Sequence, residues 1–296
     1  MRTGLEKTYD LYHFLLSSVV AVADYAEERT EIGLRKFKPT EAEANPNLKF
    51  IKNKAVANLR ASTTLTQYNE KHHLNWREHS DAVRQLYSAM IERDYYKEYM
   101  SSSNDTYFAD LQVLDDFFTY EFEDNKTIES ILEDMNTYFT DDIGFVLSAI
   151  IRTLNGFQRK RYADTILMPM YYAEDDESFA FDLLHDALKN FKHYSLIANQ
   201  FIQNWESDRI AWADVILIVL GISEATAFPS IPIKVTINEY VEIAKYYSTP
   251  HSHIFINGVL DKVIQHLISD GTIKKNGRGL IEETKIKKRI LKPISV

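Results

Sequence analysis

The chain has 296 residues, 45% hydrophobic and 26% charged, with nine Gly, seven Pro, no Cys and a net charge of −9. That length holds two ordinary domains, and the composition is that of a globular protein with few turn residues, which favours long helices over β architecture. The missing cysteines exclude disulfides, thiolate metal sites and a Cys nucleophile.

The first 25 residues carry Glu6, Asp10 and Asp24 within their apolar pattern, so neither a signal peptide nor a membrane span is expected and the chain is read as cytoplasmic. Leu11, Leu15, Val19 and Val22 recur at helical spacing and predict a helix over 5–29. Residues 38–50, KPTEAEANPNLKF, read as a loop. A Tyr-rich helix is predicted from about His79 to Met100, followed by a break at SSSNDT with Ser103, Asn104 or Asp105 available as the next cap. Leu111, Leu114, Phe117 and Phe118 continue a helical face. Two further helices follow at Ile128–Met135 and Ile143–Leu154. The break near Met168-Pro169 divides an N-terminal bundle, 1–168, from a C-terminal bundle, 169–270. In the latter, helices are predicted near 178–190, 192–204, 208–226, 236–247 and 251–269. The last segment, 271–296, has eight Lys or Arg against two Glu, or +6, leaving −15 on the other 270 residues. A basic tail of this kind reads as a solvated segment or a local RNA contact. With no strand alternation of useful length, the fold class is all-α, in two bundles.

Enzymatic signatures are absent. His72, His73 and His79 beside Glu70 and Glu78 lack the i, i+4 spacing of a zinc helix. Asp105–Asp142 holds twelve Asp or Glu and one Lys, but adjacent pairs such as Asp115-Asp116 do not share a helix face and no Gly-centred calcium loop accompanies them. Solvated faces, or a surface for a basic partner, account for that run. Gly277-Arg278-Gly279 has no preceding strand and no phosphate-loop spacing. No metal and no cofactor are expected.

The most informative stretch is PSIPIKVTINEYVEIAKYYSTPHSHIFINGVLDK, residues 229–262. Pro229 and Pro232 punctuate the entry. Thr236 and Glu239 have capping-box spacing, and Ile237, Val241 and Ala244 give the first helix a buried face. Thr249 and Pro250 read as N-cap and first position of the second, whose apolar stripe is Ile256, Leu260, Val263 and Leu267. A helix N-terminus there offers free N–H groups and a positive dipole. Around it stand Thr249, His251, Ser252 and His253 as donors, with Tyr247 and Phe255 as rings able to stack on unpaired bases. Asn257-Gly258 falls inside a helical period, so Gly258 reads as a point of close helix approach.

KVTINEYVEIAK followed by FINGVLDK resembles the C-terminal helices of the NusB family of bacterial antitermination factors. The upstream Trp205-Glu-Ser-Asp-Arg-Ile fits the same family. The resemblance covers roughly residues 178–270. It implies an all-α, non-enzymatic protein that pairs with the ribosomal protein NusE and binds boxA RNA in the RNA polymerase antitermination complex. Residue by residue, it places Tyr247, Thr249, His251, Ser252, Phe255 and Lys262 at the RNA surface, with His251 where some relatives are acidic. Asp214 falls where relatives carry an acidic residue facing NusE, and Glu224 matches a family glutamate; Val219 replaces an Arg of relatives. The family opens with an Arg-rich helix, whereas this chain opens MRTGLEKTYD with Arg2 alone. The departure implies either a lineage without that helix or a start upstream of Met1. Two other readings stand beside this one: a scaffold of the same fold that binds no RNA, and an accessory domain of the kind fused to ribosomal RNA methyltransferases, for which no catalytic residues remain here.

Overall fold

The computed structural model describes residues 2–122, 125–157, 167–172, 176–202 and 211–280. Every regular element among them is helical, and they divide into two compact units, 1–170 and 171–296. None of the described helices is long and apolar enough to cross a membrane.

The first unit is built around α1 (Arg2–Leu34), whose Leu11, Phe14, Leu15, Val19 and Val22 are fully buried. Against it pack α3 (Lys54–Arg60), α4 (Thr63–Lys71), α5 (Ser80–Glu92) and α9 (Ile143–Phe157). Trp76 fixes the join with α1: its ring stacks on Phe14 at 4.3 Å, and its indole N–H donates to the Phe14 carbonyl at 2.8 Å. An aromatic brings large apolar area and one polar atom, and here both are used. The remaining elements are α2 (Glu41–Ala44), α6 (Asp94–Ser101), α7 (Tyr107–Tyr120) and α8 (Lys126–Met135).

Several expected boundaries move. The supposed 38–50 loop contains α2, closed by a capping box in which Thr40 accepts from Glu43 N–H and Glu43 accepts from Thr40 N–H. The Tyr-rich helix is two, α5 and α6, because Arg93 is extended and sends its guanidinium to Glu121 and to the Tyr120 carbonyl. The cap of α7 is Thr106, not residues 103–105; Asn104 is spent on the Thr106 N–H. His72 pairs with Asp10 at 2.8 Å, and among the described residues no three His, Cys, Asp or Glu side chains converge as a metal site.

The second unit contains α10 (Asp176–Phe201), α11 (Trp212–Ala227), α12 (Ile233–Tyr247) and α13 (Ser252–Ser269). Residues 178–201 are one helix, α10, where a break before Lys192 was expected. The α10–α11 pair is antiparallel, since Ser223 donates to Asp186 and Phe179 meets Phe228. The close approach falls at Gly221 rather than Gly258. A Cβ on Gly221 would lie 2.8 Å from a Leu260 methyl carbon, whereas Gly258 has open space around it. Trp205 and its neighbours, residues 203–210, lie outside the described residues, as do 281–296.

The described part of the tail is packed, not solvated. Ile273, Lys275 and Gly279 are buried, Asn276 N–H donates to the Pro229 carbonyl at 3.0 Å, and the Lys275 ammonium donates to the Phe228 carbonyl at 3.1 Å. Burial holds that ammonium below its usual range, opposed by the charge of Glu224. A Cβ on Gly279 would sit 2.2 Å from the Pro229 carbonyl oxygen, a backbone atom with little freedom to move. Gly279→Ala is therefore expected to detach this clip at a cost of about 1–3 kcal/mol. Amide exchange at Asn276 should accelerate at least about tenfold, and unchanged protection there would refute the clash.

Candidate nucleic-acid interface

Helix α12 starts at Ile233, three residues before the expected Thr236 cap. Pro232, with φ −64° and ψ 139°, occupies the cap position and launches it. Thr236 is consequently inside the helix and buried, and its hydroxyl donates to Glu224 at 2.6 Å. The helix ends at Tyr247; Ser248 turns extended, and the Thr249 carbonyl accepts the Ser252 N–H at 2.9 Å. Helix α13 begins at Ser252, with His251 at the cap position and no side chain capping it. The proposed N-cap, Thr249, instead pairs its hydroxyl with Ser252 Oγ at 2.7 Å. The expected free N–H groups are corrected: those of Ser252, Ile254 and Phe255 donate to the Thr249 and His251 carbonyls, so the start of α13 offers the turn chiefly the positive end of its dipole.

The candidate residues divide sharply by exposure. Tyr247, Thr249, His251 and Lys262 are exposed. Lys262 follows His251 by eleven residues, three turns, which returns it to the same side of α13 roughly 16 Å further along. Phe255 is only 5% exposed and belongs to the buried cluster of this unit, so the expectation of a second exposed stacking ring is corrected: one helical turn in from the cap, it is on the core side of α13. Ser252, 3% exposed, is likewise enclosed, because its hydroxyl donates to Asp214 at 2.9 Å.

The two acidic candidates are corrected too. Asp214 is 5% exposed and Glu224 6%, and neither presents its carboxylate outward. Asp214, in the first turn of α11, accepts from Ser248 Oγ and from Ser252 Oγ. Glu224, near the other end of α11, accepts from Thr236 and, at 3.0 Å, from Tyr240. Burial, then the Glu224 charge, pushes the Tyr240 hydroxyl above its ordinary range. What α11 exposes near Asp214 is apolar: Trp212 and Ile216. Sequence reasoning missed Ser248 as a member of this group. The cluster of hydroxyls in YYSTPHS was its one visible signal.

Over this stretch the chain matches the NusB family model, residues 145–265. It is 36% identical over 124 residues to the transcription antitermination protein NusB of Salinibacter ruber, covering 42% of this chain and 78% of that one. The chain belongs to the NusB family. It is also 35% identical over 117 residues to the protein of the same name from Chloroherpeton thalassium, covering 40% of this chain and 56% of the relative. For the Methylacidiphilum infernorum NusB the figures are 48% over 67 residues, 23% and 47%. No solved structure matches significantly. The NusB match runs from the first turn of α9 to the last turns of α13 and includes the whole 247–262 region, whereas residues 1–144 lie outside it.

Proposed function

We propose that this NusB-family chain acts in transcription antitermination, binding boxA-like RNA at the α12–α13 turn together with the ribosomal protein NusE in the RNA polymerase antitermination complex. One observation carries the reading. The segment that matches the family contains the start of α13, with exposed Tyr247, Thr249 and His251 beside it and exposed Lys262 three turns further along the helix. Tyr247 supplies the stacking face, Lys262 and the positive end of the α13 dipole attract phosphates, and His251 adds a polar contact without negative charge. Ser252 and Phe255 hold this ledge from beneath. With Asp214 and Glu224 turned inward, attraction of a basic partner falls to other surfaces.

The test is fluorescence anisotropy with a single-stranded boxA-like RNA and a scrambled control, each with and without NusE. Tyr247→Ala is expected to weaken boxA binding by about 1–3 kcal/mol. Lys262→Ala should weaken all sequences alike and flatten the salt slope by about one. Equal affinity for the scrambled RNA in both settings would remove the proposal. The burial of Phe255 favours one competitor, a scaffold of NusB fold that binds no RNA; it predicts no salt-dependent RNA affinity at all.

A further inference from the structure

From the hydrogen bonds behind the turn we infer that Asp214 is a positioning residue for the ledge, fixing both the backbone of residues 248–252 and the direction in which their hydroxyls point. This rests on the RNA-binding reading and deepens it, since the buried Asp214 acts through the two serines it holds.

Three hydroxyls and one carboxylate form a closed set. Ser248 Oγ donates to Asp214 Oδ1, Ser252 Oγ donates to Asp214 Oδ2 at 2.9 Å, and Ser248 and Ser252 lie 3.0 Å apart. Ser248 is the residue that follows α12, and Ser252 is the first of α13. One side chain from a third helix therefore holds the C-cap of one helix and the first residue of the next. Its place in the first turn of α11 favours a negative charge there. A buried carboxylate with both oxygens satisfied keeps a unique geometry, because every alternative leaves a buried acceptor unpaired.

The proton count extends outward. A carboxylate only accepts, so Ser252 spends its single proton on Asp214. The 2.7 Å contact between Thr249 Oγ1 and Ser252 Oγ then has Thr249 as donor. With its proton directed inward, Thr249 shows RNA only lone pairs. It therefore meets a donor on the nucleic acid, an exocyclic amine or a ribose hydroxyl, and not a phosphate oxygen.

Nothing comparable ties Glu224 to the turn. It is as buried as Asp214 and on the same helix, but its partners are Thr236 and Tyr240. That makes Glu224→Gln a control for general loss of packing.

The experiment uses the full chain. Asp214→Ala, Asp214→Asn, Ser252→Ala and Glu224→Gln are compared for affinity to boxA-like RNA and for amide exchange at Ser252 and His253. Asp214→Ala is expected to lose at least about tenfold in affinity and to speed exchange at Ser252 by a similar factor. Asp214→Asn, whose amide still accepts from one serine, should recover part of both, and Ser252→Ala should fall between. Glu224→Gln should stay within about twofold of the parent in RNA affinity even where it lowers thermal stability. The inference is overturned if Asp214→Ala binds like the parent, or if it and Glu224→Gln lose affinity together. A parent that binds no RNA sinks the functional reading alone; the exchange rates still decide whether Asp214 orders the turn. If Asp214→Ala does not fold, Ser252→Ala carries both measurements.

Discussion

Glu224→Ala is expected to cost the second unit about 4 kcal/mol, one of the largest single-site effects in the chain. Two terms combine. The hydroxyls of Thr236 and Tyr240, both buried residues, lose their acceptor. An unpaired buried polar group costs about 1–3 kcal/mol each. The removed methylenes add a void between α11 and α12, next to the point where Gly221 admits Tyr240 and Leu260. The approach of these helices is too close for them to collapse onto the space. Lys275 loses a neighbouring negative charge as well, although its contact with the Phe228 carbonyl persists. Protection of the slowest α11 and α12 amides measures the cost directly. The decisive comparison is the triple replacement Glu224→Leu, Thr236→Val, Tyr240→Phe, which removes donors and acceptor together. Replacing all partners by apolar groups of similar shape is near neutral, so the triple variant should recover most of the loss. If it falls as far as Glu224→Ala, cavity formation and not hydrogen bonding dominates.

The same residue marks where sequence reading stopped. Helix existence followed from periodicity: the stripes read on α1 and α13 are buried in the structure, and of the α12 stripe Ile237 and Ala244 are buried and Val241 partly so. Start positions were less legible, because two signals competed for one role. Thr236 and Glu239 had capping-box spacing, but Pro232 set the backbone for a helix one turn earlier. That released Thr236 for a tertiary bond. Burial of Asp214 and Glu224 was hidden for a related reason: carboxylates default to the surface, and only donors from distant positions made these inward. Ser248 and Ser252 stand 34 and 38 residues from Asp214, and nothing local encodes that meeting. The exposure of Tyr247, Thr249, His251 and Lys262 was legible, since the turn and the helix phase set it. Phe255 was not, because an aromatic beside a cap reads equally as platform or as core.

Acid is expected to destabilise the first unit through His13, which sits on α1 with no exposed surface. Its Nδ1 lies 2.9 Å from the Tyr9 carbonyl, an acceptor, so that nitrogen carries the proton; Nε2 is buried without a hydrogen-bond partner among the described residues. The ring stacks on Tyr68 at 3.9 Å, and Tyr68 stacks on His72 at 4.1 Å. Tyr68, His72 and Lys7 all bond Asp10. A second proton on His13 would bury a cation whose Nε2–H has nothing to meet. Burial accordingly lowers its pKa from 6.5 to about 4, with the repulsion of His72 adding to it and the Tyr9 carbonyl and Asp10 opposing. The native chain then binds fewer protons than the unfolded chain between those two values. The His13 contribution is fully present above pH 6.5 and is lost as pH falls towards 4, by about 3 kcal/mol across the window. Carboxylates titrate in the lower part of the same range, so the absolute slope does not isolate His13. His13→Phe does: it keeps a ring against Tyr68, gives up the bond to Tyr9 and has no proton to take. Denaturant stability measured from pH 7.5 to 4 should converge for parent and variant at the acid end, the variant being the less pH-dependent. Parallel curves would mean that His13 reaches solvent before it is protonated, and that the stacked rings do not seal it.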